Sequence, residues 1–401
     1  MKKNFLLALF LMILACSSLK AQRLPSLDSV KTLLTNMTLQ IEITSGVDDL
    51  YNFKFARAES QFHWIRRAYP EHPLPYFLLG LSNWWKIAPN VNKYAYDDVF
   101  FAYMDSSIMY AEEMFDEDET NLEAPFFLAA AYAFKARLYS ERSNWTKATF
   151  AGKNALKYLE YSKAHSELSP ELLFGDALYN YFSVWIPENY PILKPILMFF
   201  DKGDKELGIE QLETVVKEAF YAKVEAQYFL MRIYSFEKSH MRKALGLAEY
   251  LHMKYPDNPY FHRYYARSLY SVGNFEKLAK VSQDILNKID SGMVGYEEIS
   301  GRYAGFYLGD YYRRVEHNDK LSRNYYLRAV NFSEQLKAFD SGYYLYSLSN
   351  LGKIAIELEE MDEAKIYYDK ILEHAERKHP AYKSAKEFKK EYKRYQKDKS
   401  S

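Results

Sequence analysis

Apolar residues recur three and four positions apart along nearly the whole chain, and this spacing limits the possible folds more than any other feature of the sequence. The periodic segments are about 12–20 residues long, as in amphipathic helices. No segment after residue 26 keeps the alternation of a strand, and the 15 glycines and 13 prolines fall between periodic segments. The sequence therefore predicts an all-α protein, and an all-α chain of 401 residues must be searched for internal repeats.

That search finds a repeated unit of about 34 residues. Its first helix carries Leu-Gly followed by Tyr, its second helix mixes small and large residues, and Pro ends the unit. The pattern occurs in at least three places, and Leu278 stands 34 residues after Ala244. We expect the small residues to let paired helices approach closely and the large ones to fill the space between hairpins. The matching residues are Ala58, Phe62, Ile65, Pro70, Tyr76, Leu79, Gly80, Ala244, Ala248, Leu251, Pro256, Ala266, Gly273, Phe275, Leu308, Gly309, Tyr312, Leu351, Gly352, Ala364, Tyr368 and Ile371.

On these residues, the chain resembles the tetratricopeptide repeat proteins, in an exported bacterial form. The resemblance implies an all-α fold over residues 22–380, in which helical hairpins stack into a right-handed α-solenoid. It also implies a concave groove lined by the first helix of each hairpin.

The middle of the chain follows the repeat more loosely. Three prolines at four-residue spacing, Pro187, Pro191 and Pro195, predict a break in helical structure and an insertion at about 185–202. Between Leu173 and Leu251 the chain also resembles the inclusion-body-clearance and related tetratricopeptide family, which we use as a guide to fold alone. Two further hairpins are expected here, and their residues are Tyr132, Tyr139, Trp145, Ala148, Ala155, Leu173, Phe174, Gly175, Gly208, Leu212 and Val215.

The N-terminus has the layout of a bacterial secretory signal peptide, with two lysines before an apolar run at 5–15 that is too short to span a bilayer. Cleavage after Ala21 would remove residues 1–21 and leave the protein free. If residues 13–16 instead act as a lipobox, cleavage would remove residues 1–15, and Cys16 would become the lipid-anchored first residue. The sequence leaves both open, and either predicts export to the periplasm or the outer membrane. No later apolar run is long enough to predict a transmembrane helix.

Charge is unevenly distributed although its total is zero, with 53 basic and 53 acidic residues. An acidic run follows Tyr110, and its spacing does not match a calcium-binding EF-hand loop, so we interpret it as a solvated helix end. Residues 381–401 are basic, with Phe388, Tyr392 and Tyr395 on one face, which predicts a capping helix. Docking to a membrane surface or a partner is the alternative for this helix.

Composition and motifs also argue against several functions. Zero net charge gives no general attraction to nucleic acid. A single cysteine permits no intramolecular disulfide and no Cys-based zinc cluster. The chain lacks the HExxH zinc motif, the GxSxG nucleophile elbow and the Walker phosphate loop. We therefore predict no metal, no cofactor, no catalytic residue and no enzymatic activity.

Placing each unit on the repeat register predicts which side chains face the groove. An aromatic end and a basic, aromatic end are expected, and Arg binds carboxylates or phosphates in bidentate fashion. Packing against a neighbouring helix is the competing interpretation for Trp84 and Trp85, and ion pairing within the array is the competing one for Arg313 and Arg314. The candidate binding residues are Phe77, Trp84, Trp85, Arg263, Arg267, Tyr270, Asp310, Arg313 and Arg314, with Cys16 as a possible lipidation site.

Two functions fit this prediction. The first is a non-enzymatic scaffold of the bacterial cell envelope that binds a protein or peptide in the groove. The alternative is a surface lipoprotein that binds a glycan or another small ligand, because aromatic platforms suit sugar rings. No nucleic-acid partner is expected.

Overall fold

The computed structural model describes residues 32–34, 36–163, 169–191, 194, 201–236 and 238–400. These residues form seventeen α-helices and a 3₁₀ turn at Lys238–His240, and no strand occurs among them. The prediction of an all-α fold is confirmed. The predicted signal peptide with Cys16 and parts of the predicted insertion lie outside the described residues. In the described part, no helix is both long and apolar enough to cross a membrane.

The helices follow one another with short connections. In chain order they are α1 Met37–Tyr51, α2 Phe55–Ala68, α3 Pro73–Ile87, α4 Asp97–Glu117, α5 Glu123–Glu141, α6 Trp145–Lys163, α7 Pro170–Asn189, α8 Lys205–Glu218, α9 Lys223–Phe236, α10 Met241–Lys254, α11 Pro259–Val272, α12 Phe275–Asp290, α13 Glu298–Arg314, α14 Asp319–Gln335, α15 Gly342–Glu357, α16 Met361–His374 and α17 Pro380–Ser400.

Consecutive helices pack in pairs, from α1 with α2 to α15 with α16, and α17 packs on the last pair. The odd-numbered first helices also lie against one another, for example α1 against α3, α11 against α13 and α13 against α15. Contacts between first helices place them on the inner side of a curved array. The structure is therefore a helical-repeat solenoid of tetratricopeptide type, and its first helices line the concave face.

Local sequence explains where the helices begin and end. Asn258 accepts hydrogen bonds from the backbone N–H groups of Tyr260 and Phe261, so it caps α11, and Pro259 follows in the first helical position. Gly273 ends α11 in the left-handed conformation, with φ of 76°. Asn274 then caps α12. Such stop and start residues keep the hairpin connections short.

The small residues of the repeat lie where the helices of a hairpin approach most closely. A Cβ atom on Gly309 would stand 2.5 Å from the Tyr326 ring, and one on Gly352 would stand 2.7 Å from the Tyr368 ring. Both distances are below van der Waals contact, so these positions admit only glycine at the observed spacing. Tyr326 and Tyr368 are themselves buried, as the repeat predicts for its large residues.

The proline-containing segment begins later than the sequence suggested. Helix α7 continues through Pro187 and ends at Asn189, so the first of the three prolines does not break it. Pro187 lies in the last turn, where it removes only one intrahelical hydrogen bond. Beyond the helix, the backbone N–H of Gly203 donates to the hydroxyl of Ser183, which brings the chain back to α7.

The first hairpin also packs against the middle of the chain, and this closes part of the solenoid. The side chain of Asn258 donates to the carbonyl of Tyr51 at 2.8 Å, and the backbone N–H of Asp257 donates to Asn52 at 3.0 Å. Lys54 pairs with Asp257 at 3.0 Å. We call these contacts, together with the aromatic cluster around Trp85, the closure contact.

Trp85 lies at the centre of the closure contact. Its ring centroid is 5.5 Å from that of Tyr51, 5.9 Å from Tyr228, 6.1 Å from Tyr260 and 5.2 Å from Phe261. These rings belong to α1, α3, α9 and α11. Large aromatic side chains, with edge-to-face geometry for each of these pairs, therefore fill the space between the two parts of the solenoid.

Candidate functional site

A continuous row of arginine and tyrosine side chains follows the inner helices of the solenoid. Each member lies on a first helix: α5, α9, α11, α13 or α15. Successive members contact one another through stacked rings, hydrogen bonds or a guanidinium over a ring, so the row is one connected surface. We call it the arginine–tyrosine ladder, and its residues are Arg137, Tyr228, Arg232, Tyr260, Arg263, Tyr264, Arg267, Arg302, Tyr303 and Tyr343.

At one end of the ladder, two guanidinium groups converge on one phenol. Arg137 donates to the hydroxyl of Tyr228 at 2.6 Å, and Arg232 donates to the same hydroxyl at 2.9 Å. Burial opposes ionisation of Tyr228, but the charges of Arg137 and Arg232 outweigh it and lower the pKa of this phenol below its ordinary value. The two guanidinium groups are thus held together by one phenol oxygen, with no carboxylate at ion-pair distance in the described part of the chain.

Arg263 occupies the middle of the ladder and is 8% exposed. Its guanidinium donates to the carbonyl of Pro89 and to the hydroxyl of Ser300, both at 3.2 Å. It also lies 5.2 Å from the Tyr260 ring centroid and 5.7 Å from that of Tyr303. This buried guanidinium is thus held by a carbonyl, a hydroxyl and ring faces, and no carboxylate of the described residues lies at ion-pair distance from it.

Arg267 and Arg302 continue the ladder towards α15. Arg267 is exposed and lies 5.8 Å from the Tyr264 ring centroid. Arg302 is half-buried between the rings of Tyr303 and Tyr343, at 5.5 Å and 6.0 Å from their centroids. The Nε of Arg302 is buried and has no hydrogen-bond partner among the described residues. Both side chains can donate hydrogen bonds to a ligand in the groove.

The five ladder arginines share one property. Within the described part of the chain, no carboxylate lies at ion-pair distance from Arg137, Arg232, Arg263, Arg267 or Arg302.

Several arginines elsewhere in the array pair internally. Arg142 binds Asp97 at 2.6 Å, and Arg323 binds Glu360 at 2.8 Å and also Glu363. The concave face therefore concentrates uncompensated positive charge between flat aromatic surfaces. That arrangement favours a ligand with several carboxylates or phosphates.

The candidates predicted at the basic end divide into two groups. Arg263 and Arg267 belong to the ladder, whereas Arg313 pairs with Asp319 at 2.8 Å and with Glu357 at 2.6 Å. Internal ion pairing, the competing interpretation for Arg313, is thus what the structure shows.

The other three candidates at this end bind one another. Asp310 is fully buried and accepts hydrogen bonds from Tyr270 at 2.8 Å and Tyr326 at 2.6 Å. Arg314 pairs with Asp310 at 3.3 Å. The geometry gives Tyr270 and Asp310 a part in packing between hairpins, because they bind each other, whereas Arg314 is exposed and pairs with Asp310 through its Nε alone.

The predicted aromatic end of the groove needs correction. Trp84 and Trp85 are 2% and 1% exposed, so neither presents a face to a ligand in the groove. Trp84 packs against Phe100 and Phe134, and Trp85 belongs to the closure contact. Phe77 is half-buried and contacts Phe134 at a centroid distance of 5.9 Å. Because the first hairpin packs against α9 and α11, this part of the concave face is covered.

Sequence reasoning found Arg263 and Arg267 but missed the other three ladder arginines, Arg137, Arg232 and Arg302, and all five ladder tyrosines. One signal was present, because Arg-Tyr occurs at Arg263-Tyr264 and again at Arg302-Tyr303, on successive first helices. Recurrence of a charged–aromatic pair on equivalent helices marks a shared face of a solenoid. Among the described residues, no group of three or more potential metal ligands is close enough to hold a metal ion.

Comparison with known proteins yields similarity of fold alone. No protein-family model matches the chain, and no curated protein matches it. Among solved structures, the human IFIT1 dimer with m7Gppp-AAAA is 17% identical, with 80% of this chain and 67% of that chain covered and a TM-score of 0.43.

Two further solved structures are more distant in shape. Yeast Tom70 is 14% identical, with 80% of this chain and 64% of that chain covered and a TM-score of 0.39. The P58(IPK) TPR domain is 14% identical, with 89% and 99% covered and a TM-score of 0.25. These values are too low to support any inference about ligand or partner.

Proposed function

We propose that the protein is a non-enzymatic scaffold, exported to the cell envelope, whose arginine–tyrosine ladder binds an acidic segment of a protein partner. The observation that carries the proposal is the set of five guanidinium groups on the inner helices with no carboxylate partner in the described part of the chain. Holding like charges close together in a half-buried groove is unfavourable, and a polyanionic ligand would relieve it.

The spacing of the ladder fits an extended peptide. Neighbouring packed helices are separated by about 8–10 Å, and an extended chain advances about 3.3–3.6 Å per residue. One carboxylate for each first helix therefore requires an acidic residue at about every third position. The rings of Tyr260, Tyr264, Tyr303 and Tyr343 offer flat surfaces for the apolar parts of the intervening side chains.

Binding of a defined acidic peptide tests the proposal. The probe is a twelve-residue peptide with Glu at every third position, and the comparison peptide has Gln at the same positions. We expect calorimetry to show binding of the Glu peptide that weakens steeply with salt, and much weaker binding of the Gln peptide. Equal affinity for the two peptides would contradict the proposal.

Single substitutions locate the binding surface. Arg267→Gln and Arg302→Gln should each lower affinity for the Glu peptide by about tenfold to a hundredfold, the worth of a charge-assisted hydrogen bond. Arg242→Gln is the matched control, because Arg242 is exposed on the second helix α10, away from the ladder. An equal effect of all three variants would indicate non-specific attraction to positive charge.

Export is the second part of the proposal, and it is supported by the signal-peptide layout of residues 1–21. The mass of the mature N-terminus, measured on protein from the envelope, separates cleavage after Ala21 from acylation at Cys16. A cytoplasmic protein with residues 1–21 intact would contradict export. The glycan-binding alternative depended on Trp84 and Trp85 as an exposed platform, and both are buried.

A further inference from the structure

A partly open cavity lies next to the closure contact, and Tyr51 of that contact and Arg137 of the ladder both line it. The cavity has a volume of about 130 Å³ and lies between α1, α3, α5, α7 and α9. Most of its wall is apolar, and the residues used below are Leu81, Ala130, Phe134 and Phe229. An engineered cavity of about 150 Å³ with a similar apolar wall holds benzene, so this cavity has room for a small organic molecule.

One end of the cavity is polar. Glu225 lines it and is 7% exposed, and its Oε1 accepts hydrogen bonds from the Tyr51 hydroxyl and the Trp85 indole N–H, both at 3.1 Å. No described residue donates to the other carboxyl oxygen, Oε2. Two hydrogen-bond donors therefore hold the Glu225 side chain in place, and its second oxygen can interact with a ligand.

Arg137 lines the same cavity, 4.3 Å from the Trp84 ring centroid. One of its nitrogens, Nη2, donates to Tyr228, so Nε and Nη1 remain available as donors. Burial raises the pKa of Glu225, although hydrogen bonds from Trp85 and Tyr51 and the charge of Arg137 oppose the rise. A protonated Glu225 can donate a hydrogen bond next to the cation.

We propose that this cavity binds a small monocarboxylate with an apolar chain or ring, whose carboxylate accepts hydrogen bonds from the Arg137 guanidinium. Burial favours the neutral form of Glu225, and in that form its carboxyl group adds a second donor. The apolar part of the ligand would lie against Leu81, Phe134 and Phe229. It would restore the dispersion contacts that an unfilled cavity lacks. The volume and the surrounding helices favour a small molecule over a polypeptide. The inference does not rest on the acidic-peptide proposal, because Arg137 is the only ladder residue that lines the cavity.

Titration with monocarboxylates of increasing size tests the proposal on the mature protein. The probes are benzoate and the straight-chain acids from butanoate to octanoate, and the comparison ligands are benzyl alcohol and benzylamine. We expect saturable binding of the acids, an affinity that rises about fourfold for each added CH₂ until the cavity is full, and at least tenfold weaker binding of the alcohol and the amine. Absence of saturable binding would overturn the proposal.

Two substitutions assign the binding to this cavity. Ala130→Phe fills the cavity from α5 and should abolish binding, whereas Ala102→Phe, on an exposed face of α4, is the matched control and should leave it unchanged. Arg137→Met should remove the preference for acids over alcohols. Circular dichroism confirms that each variant folds, and Ala133→Leu, also on the cavity wall, replaces Ala130→Phe if that variant does not.

The outcomes separate this inference from the proposed function. Loss of monocarboxylate binding in Ala130→Phe with intact Glu-peptide binding supports a separate cavity site. Monocarboxylate binding that Ala130→Phe leaves unchanged would overturn it. Displacement of benzoate by the C-terminus of an apolar peptide, with higher affinity than any free acid, would show that the cavity serves a protein chain and would also overturn it.

Discussion

His252 and His262 stack on each other between α10 and α11, with ring centroids 4.1 Å apart and an interplanar angle of 20°. Tyr296 forms a hydrogen bond with Nδ1 of His262 at 3.0 Å, while His262 Nε2 and His252 Nδ1 have no hydrogen-bond partner among the described residues. Two cationic rings in this stack would repel each other in a region poor in water. The contact between the two helices therefore depends on neutral imidazoles.

This pair predicts a loss of stability in mild acid. Burial lowers the pKa of His252 to about 4, assisted by the charge of Lys288 and opposed by Asp284 and Glu249. Burial also lowers the pKa of His262 well below its ordinary value. Between pH 6.5 and about 4 the unfolded chain binds more protons than the folded one, so the free energy of unfolding must fall as the pH falls.

Urea denaturation across this pH range measures the effect. His252→Phe keeps a flat ring in the stack but cannot bind a proton. It should therefore remove the fall in the free energy of unfolding that His252 causes between pH 6.5 and about 4. That fall is roughly 3 kcal/mol, because the pKa of His252 is shifted by about 2.5 units and each unit corresponds to about 1.36 kcal/mol. His317→Asn, on an exposed turn with a left-handed φ of 51°, is the control and should keep the wild-type profile. A profile in His252→Phe as steep as that of the wild type would contradict the prediction.

The residues that sequence reasoning misplaced show which information the repeat lacks. Helical register predicted that Trp84 and Trp85 point towards the concave side, and both side chains of α3 are indeed directed into the protein. The register does not say what stands opposite them, and there Trp85 meets Tyr228 of α9 and Phe261 of α11. That contact joins residues more than 130 positions apart, for example Trp85 and Glu225, so a unit of about 34 residues cannot encode it.

At the scale of the helices, the sequence was more informative, because each hairpin is set by nearby residues. Glycine in the first helix and a large ring in the second predicted the pairing, and the Gly352–Tyr368 approach shows the geometry. Helix α7 departs from the prediction because proline in the last turn of a helix costs little, a positional effect that composition does not reveal.

A glycine series on α13 makes this packing testable. Gly301, Gly305 and Gly309 recur every four residues and face α14, and a Cβ on Gly305 would stand 3.0 Å from the backbone nitrogen of Ala329 and 3.1 Å from the carbonyl oxygen of Tyr325. Backbone cannot move aside as a side chain does. Gly305→Ala should therefore lower the free energy of unfolding by about 1–3 kcal/mol, measured in urea.

Gly246 provides the opposite case on the exposed side of α10, where a Cβ would meet no atom within 4 Å. Gly246→Ala should raise the free energy of unfolding by about 0.5–1 kcal/mol, because alanine has the higher helix propensity and restricts the unfolded chain. Changes of the same sign in the two variants would show that helix propensity, rather than close packing, decides the effect at Gly305.

For the molecule as a whole, the closure contact changes how the solenoid should unfold. In an open array each hairpin contacts only its neighbours, so the ends can open separately. Here α1 is also joined to the start of α11 by a hydrogen bond. We therefore expect the unfolding of the first hairpin to be coupled to the unfolding of the middle of the chain. The same contact covers the aromatic end of the groove, whereas Arg267 of the ladder remains exposed.

Asn258 is the residue through which this linkage is best tested. It is fully buried, its Oδ1 caps α11, and its Nδ2 donates to the carbonyl of Tyr51 in the closure contact. Asn258→Ser retains a good helix cap but leaves the Tyr51 carbonyl without a donor, at a cost of about 1–3 kcal/mol. We expect amides of α1 and α2 to exchange hydrogen much faster in this variant, while those of α13 to α16 keep their protection.

Asn274→Ser is the matched control, because Asn274 caps α12 on the surface and makes no contact with α1. It should stay within about 0.5 kcal/mol of the wild type. Unchanged exchange in α1 and α2 of Asn258→Ser would mean that the first hairpin is held by its own neighbours, as in an open solenoid, and that the closure contact does not couple the two parts of the chain.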